Sequence, residues 1–265
     1  MPPKLTAWLF MLVTASFLSG CGTLARDRAV PPALHGQEQI GDMPGVRYQA
    51  LSSHGVEKIL NDIKASVDAN KTTPQGITNH DVANYLSISG GGDNGAFGAG
   101  LLTGWTERGD RPTFDLVTGV STGSLIAPFA YLGPEYDPVL KSVYTETQPS
   151  DIYLERGLLG ALFGEAIGDT TPLFKLISKH IDAELLKKIA DEYTRTNRWL
   201  LVATTNLDTG TPVIWNMGKL AQVGTPEALA LFRKILLASA AIPGVFPPVM
   251  IDVVADGKNY QVRAE

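Results

Sequence analysis

Between Leu5 and Leu18 the chain carries fourteen residues without a charge, after which apolar positions scatter. They recur at helical spacing at Val56, Ile59, Leu60, Ile63 and Val67, which predicts an amphipathic helix over about residues 55–70. Pro74 and Gly76 break it within residues 72–78. Beyond Val82 the pattern becomes short apolar runs. Residues 85–89 predict a strand running straight into Gly90, Gly91 and Gly92, residues 96–108 a helix, 114–118 a second buried strand and 124–132 a second helix. Further helices are predicted at 171–179, 183–195 and about 226–240, with strands at 199–203 and 212–215 flanking the turn Asp208-Thr209-Gly210. Two alternating runs, 250–254 and 260–263, flank Asp256-Gly257, a strong hairpin-turn signal. Strand, helix, strand, helix in this order implies an α/β protein with a mainly parallel central sheet and helices on both faces.

The hydrophobic fraction of 44% and charged fraction of 18% are those of a globular chain, and 265 residues suffice for one large α/β domain or two small ones. The net charge of -5 is spread without a basic stripe, which argues against a nucleic-acid partner. Lys4 followed by the uncharged run fits a secretory signal, and the run falls short of the roughly 20 residues that span a bilayer; a buried core helix is the plain alternative. The stretch Leu18-Ser19-Gly20-Cys21 resembles the lipobox of bacterial lipoproteins, in which the cysteine is lipidated and becomes the new amino terminus. Cys21 is the sole cysteine, so it forms no internal disulfide; its alternative reading is a small buried residue. Removing residues 1–20 takes away Lys4 and no acid, leaving 21 bases against 27 acids, a net -6, so a lipid anchor and not charge would hold the protein to a membrane. Gly22 after the cysteine leans the expected destination within the bacterial cell envelope toward the outer membrane. The expected organisation is a signal peptide over 1–20, a lipidated tether over 21–54, a helix and linker over 55–77, and a folded domain over 78–265.

Two motifs carry chemistry. Gly119-Val120-Ser121-Thr122-Gly123 stands between a buried strand and an apolar helix. On such a turn flanking glycines let the backbone pass tightly and expose the serine Oγ at the sheet edge, while the helix that follows directs its positive end at a developing oxyanion. A serine that merely caps the helix is the alternative. The second motif is Gly90-Gly91-Gly92-Asp93-Asn94-Gly95, whose bare backbone N–H groups suit an oxyanion hole. A nucleotide-binding loop competes, but no suitable acid follows about twenty residues on, and no Gly-Lys-Ser/Thr follows either. Gly90 and Ser121 are 31 residues apart, about one strand–helix–strand unit. Adjacent parallel strands would bring both turns to one edge of the sheet, and together they argue acyl transfer. No His/Cys/Asp/Glu cluster has metal-ligand spacing, so no metal or other cofactor is expected.

This arrangement resembles the patatin-like phospholipase family. Its members carry Gly-Gly-Gly-x-Arg/Lys-Gly after the first strand and Gly-x-Ser-x-Gly at the elbow. An Ala-Ser/Thr-x-Ala-x-Pro-x-x-Phe-Pro-Pro-like segment then precedes an Asp-Gly-Gly/Ala motif. Here Ala238-Ser239-Ala240-Ala241-Ile242-Pro243-Gly244-Val245-Phe246-Pro247-Pro248 is similar to the third element, and Thr205-Asn206-Leu207-Asp208-Thr209-Gly210 to the strand and turn before it. The resemblance runs from about Tyr85 to the end. It implies a patatin-like three-layer fold and a lipid or phospholipid substrate. It also implies a Ser-Asp dyad without histidine, in which Ser121 attacks the ester and an aspartate takes its proton. The oxyanion would lie in the loop of Gly90, Gly91, Gly92, Asp93 and Gly95, held by the N–H groups of Gly91 and Gly92 and of Asp93, with Gly119 and Gly123 shaping the elbow.

Two departures stand out. Asn94 occupies the position of the family's Arg or Lys, which removes a positive charge beside the loop. No Asp-Gly-Gly or Asp-Gly-Ala occurs up to Glu265, and Asp256-Gly257 is followed by Lys258 in a hairpin signal that family members carry just before their catalytic aspartate. The catalytic aspartate is therefore expected beyond Glu265, with this chain a truncated fragment that is nearly inactive, since a serine hydroxyl without a base is a weak nucleophile; Asp256 remains the alternative base. His35, His54 and His80 precede the serine, and His180 reads as a surface helix residue. Leu101, Leu102, Trp105, Leu158, Leu159, Leu162 and Phe163 are candidate acyl-pocket or lid residues, with core packing as the alternative for each. Two rivals remain: an α/β-hydrolase esterase with a Ser-Asp-His triad, and a non-catalytic envelope lipoprotein that keeps the fold for binding.

Overall fold

The structure is a computed structural model in which residues 26, 28–72, 83–147, 154–155 and 168–265 are described. The expectations for the signal peptide, Cys21, His80, Leu158, Leu159, Leu162 and Phe163 lie outside the described residues. In chain order the strands are β1 (Arg47–Gln49), β2 (Tyr85–Ile88), β3 (Leu116–Val120), β4 (Leu154–Glu155), β5 (Gly168–Asp169), β6 (Trp199–Asn206), β7 (Thr211–Asn216), β8 (Val249–Ala255) and β9 (Lys258–Ala264). The helices are α1 (Ser53–Thr72), α2 (Gly95–Arg108), α3 (Thr122–Leu132), α4 (Asp137–Glu146), α5 (Thr171–His180), α6 (Ala183–Thr196), α7 (Met217–Val223) and α8 (Pro226–Ala240).

Local chemistry sets several of these limits. Thr225 accepts a hydrogen bond from the Ala228 amide with Pro226 in the first turn of α8, and Asp182 accepts from the Leu185 amide at the start of α6. Asp256 and Gly257 both take positive φ, 47° and 66°, as a two-residue hairpin turn between β8 and β9 requires. The second strand starts at Leu116 and runs on through Gly119 to Val120, two residues later than the apolar run suggests. Phe114 is buried just ahead of it. Strand pairing with β6 carries a glycine that local propensity disfavours.

The fold is α/β, but the sheet is mixed, which corrects the expectation of a mainly parallel one. Its order is β1-β7-β6-β3-β2, with β9 joining β6 and β8 joining β9. Pairing is parallel for β2–β3 and β3–β6 and antiparallel for β1–β7, β6–β7, β6–β9 and β8–β9. The reason is connection length: the short turns from β6 to β7 and from β8 to β9 leave no room for the crossover that a parallel neighbour needs. Among the described residues, the two faces of β2 and β3 are unequally covered. Gly98 of α2 packs between Ile126 of α3 and Ile88 on one face, whereas on the other Tyr85 is 68% exposed and Val120 42% exposed. The core is centred on Val117, Ile126, Leu200, Val202, Trp215, Phe232 and Ile251. Among the described residues no helix is long and apolar enough to cross a membrane.

The tether reading fails for residues 28–49. β1 pairs with β7, Gln39 bridges Val254, and Val30, Ile40, Val46 and Tyr48 are buried. Glu38 and Arg47 form an ion pair at 3.4 Å with side chains 0% and 1% exposed, and Gln49 donates to the same Glu38 oxygen at 3.0 Å. Burial pushes the Arg47 guanidinium down from its ordinary value, against the pull of Glu38. Removing one partner of a buried pair strands the other charge. Arg47→Ala is therefore expected to destabilise the protein by about 3–5 kcal/mol in urea unfolding, whereas a true tether would give no change.

Candidate active site

β3 ends at Val120 and the chain reverses at Ser121 into α3. Ser121 has φ 54° and ψ -129°, a conformation that costs a non-glycine residue roughly 1–3 kcal/mol. The glycines on either side show why it is held there. A Cβ on Gly119 would strike the backbone of Gly123 and Ser124, and one on Gly123 would strike the carbonyls of Ile88 and Ser89. The first turn of α3 is thus pressed onto the end of β3 and against the end of β2. The Ser121 carbonyl is taken by Ser124, through its amide at 2.9 Å and its hydroxyl at 2.7 Å.

The register Ile88↔Gly119 sends both strands out of the sheet at one edge. β2 runs through Ser89 into the glycine turn, where Gly92–Asn94 forms a 3-10 turn leading into α2. A Cβ on Gly90 would lie 2.8 Å from Ser121 Cβ and 3.4 Å from Ser121 Oγ, so the glycine turn touches the serine side chain. Gly91, Gly92, Asp93 and Asn94 are exposed. Among the described residues no hydrogen bond takes up the amides of Gly91 or Gly92. Gly95 is buried against Thr122, and a Cβ there would sit 2.8 Å from the Tyr144 hydroxyl. Tyr144, from α4, shares a 2.8 Å hydrogen bond with Thr122 Oγ1. Burial raises the Tyr144 pKa while the Thr122 contact lowers it, with burial the larger.

Two of these neighbours are not singled out by the sequence as site residues. Ser239, near the end of α8, accepts from the Ser121 amide at 2.9 Å and donates to the Ala203 carbonyl at 2.7 Å. It lies in the Ala238–Pro248 stretch, but nothing local ties it to a residue 118 positions away. Tyr144 sits on α4, a helix that the apolar pattern does not announce.

Other candidates fall elsewhere. Asp256 is exposed at the hairpin turn, while the opposite end of that hairpin meets β6. Seven-residue strands put it roughly 20 Å from that end, which removes Asp256 as a partner for Ser121. Among the described residues no side chain hydrogen-bonds to Ser121 Oγ. His35 contacts the Val30 carbonyl at 3.1 Å. His180 is half-buried in an apolar crevice with Leu125, Phe129 and Leu236, and not the surface residue expected; burial, with Lys179 beside it, lowers its pKa. Leu102 belongs to the core, whereas Leu101 and Phe97 are 53% and 77% exposed. These two, with Leu86, Ile88, Trp105, Asn94 and Gly90, line a groove of about 540 Å³ along the outer edge of β2.

Asp208 fixes the approach of β9. It accepts from Arg26 at 2.7 Å, from Arg263 Nε at 3.0 Å and from the Arg263 amide at 3.3 Å. Burial pushes its carboxyl up, but these bonds outweigh burial and hold it below the usual carboxylate range. β7 occupies one edge of β6 over residues 201–206, so β9 must meet β6 on the edge that β3 vacates after Val120.

Residues 86–260 match the family model for the patatin-like phospholipase. No curated protein matches the chain.

The strain at Ser121 is measurable. Ser121→Gly relieves the positive φ and should raise stability by roughly 1 kcal/mol in urea unfolding, after the entropy that glycine adds to the unfolded chain. A fall in stability would show that the residue is not strained.

Proposed function

Because the chain belongs to the patatin-like phospholipase family, whose members are lipid acyl hydrolases, we propose that it hydrolyses acyl esters of phospholipids or lysophospholipids with Ser121 as nucleophile. What carries this reading is the contact of Gly90 with Ser121, which sets a hydroxyl beside backbone donors that have no hydrogen-bond partner among the described residues. Ser121 Oγ attacks the ester carbonyl and passes its proton to a base. The amides of Gly91 and Gly92 take up the charge that develops on the carbonyl oxygen, aided by the N-terminal end of α3. The alcohol leaves with a proton from the base, and water then releases the acyl group by the reverse sequence.

The base in this reading is an aspartate on the path of β9. Thr205 and Glu265 exchange backbone hydrogen bonds two residues along β6 from Ala203, the partner of Val120, so this end of β9 lies next to the elbow. A carboxylate carried there would stand beside the elbow. The acyl chain would lie in the groove along β2, from Gly90 past Phe97 and Leu101. The lipobox-like Leu18-Ser19-Gly20-Cys21 supports anchorage of the protein in the cell envelope through Cys21.

Serine-directed fluorophosphonate labelling of the full-length protein, abolished by Ser121→Ala, is the expected result; labelling that survives the substitution sinks the assignment. Leu101→Asp should raise KM for a long-chain acyl ester about tenfold, as loss of an apolar contact implies. It should leave an acetyl ester within about twofold; equal effects on both would move the acyl chain elsewhere. Cys21→Ala should shift the protein from membrane pellet to supernatant, and persistence in the pellet would remove the anchor.

A further inference from the structure

The amide of Ser121 is the first orphan donor of α3, and it points into the protein. In an ordinary strand ladder an amide and a carbonyl so placed would bond directly at about 2.9 Å. At the end of the β3–β6 pairing the Ser239 hydroxyl stands between the two, 2.9 Å from the Ser121 nitrogen and 2.7 Å from the Ala203 oxygen. Its one proton goes to Ala203, so its lone pair faces the Ser121 amide, and turning that proton toward the amide would lose both bonds. Ala203 is the register partner of Val120, the residue before the nucleophile. Ser239 therefore replaces one rung of the ladder with a longer one, at the point where β3 must leave the sheet. Ser239 is 5% exposed, so water does not readily take its place.

We propose that Ser239 is a positioning residue that holds the Ser121 amide and thereby fixes the nucleophile in its strained conformation. The proposal rests on the hydrolase reading and adds two things to it. The Ser121 amide is committed to the fold and is not an oxyanion donor, so the donors come from the glycine turn. The conformation of the nucleophile also depends on the end of α8, which leads directly into the turn Ile242–Phe246, where the amides of Val245 and Phe246 both bond the Ile242 carbonyl.

The test compares Ser239→Ala, Ser239→Cys and Tyr131→Phe in the full-length protein. Tyr131→Phe also removes a buried hydroxyl bonded to a carbonyl, that of Arg198 at 3.2 Å, but farther along α3. Ser239→Ala should slow fluorophosphonate labelling and lower kcat by on the order of 10- to 100-fold, with KM within about twofold, because it displaces the attacking group and not the substrate. Ser239→Cys, a weaker acceptor and donor, should fall between, and Tyr131→Phe should label at the unaltered rate. The second readout is amide hydrogen exchange at Ser121, which should accelerate at least tenfold in Ser239→Ala whether or not the protein turns over. Unchanged exchange in Ser239→Ala overturns the proposal, as does a loss of labelling in Tyr131→Phe equal to that in Ser239→Ala. If the unaltered protein is never labelled, the hydrolase reading falls, and the exchange experiment alone decides whether Ser239 holds the amide.

Discussion

Three backbones converge where β2, β3 and α3 meet, at separations that no side chain tolerates. Gly123 lies against the carbonyls of Ile88 and Ser89, and Gly119 against the peptide of Gly123. This contact sets the level at which the helix leaves the sheet, and with it the position of Ser121 relative to the glycine turn. The strain at Ser121, roughly 1–3 kcal/mol, persists because its neighbours are held by core packing that outweighs it. Val117, Ile126 and Leu200 are fully buried around the junction, and each burial contributes roughly 1.5–3 kcal/mol. The elbow is a local conflict resolved by the packing on both sides of it.

The outer parts of the fold brace the same region from a distance. β7 closes one edge of β6, so β9 is directed to the edge that β3 leaves free. The carboxylate of Asp208 then ties the β6–β7 turn to Arg263 on β9 and to Arg26 in the amino-terminal segment. That segment also supplies β1 and the buried Glu38–Arg47–Gln49 group. The amino-terminal and carboxyl-terminal described segments thus meet the same turn, and the edge of β6 beside the elbow is held by charge as well as by backbone pairing.

What the sequence discloses follows the range of each interaction. The elbow, the glycine turn and the Asp256-Gly257 hairpin are legible because their residues are neighbours in the chain and each imposes a backbone geometry few residues accept. The mixed sheet is not, because alternating helices and strands outweigh a shorter-range fact also present, that strands joined by a turn at Asp208-Thr209-Gly210 must be antiparallel. β1 escapes notice because three residues give no period, and its partner on β7 lies far along the chain. Ser239 and Tyr144 act through single hydroxyls across the fold, one to a backbone amide and one to Thr122. Contacts of that kind leave no spacing in the sequence to detect.

The fate of the backbone donors around Ser121 separates scaffold from site. A buried amide without a partner costs about 1–3 kcal/mol, so the fold must satisfy it at all times, and Ser239 does so for Ser121. Gly91 and Gly92 are exposed and their amides find no partner among the described residues, so water can solvate them at rest at little cost to the fold. In the proposed reaction those are the donors that a carbonyl oxygen would claim as it gains charge, exchanging water for a stronger acceptor. The same rule explains why glycine suits this turn and a hydroxyl suits position 239. In the proposed reaction one leaves its donors open to a ligand, and the other closes a donor held inside the fold.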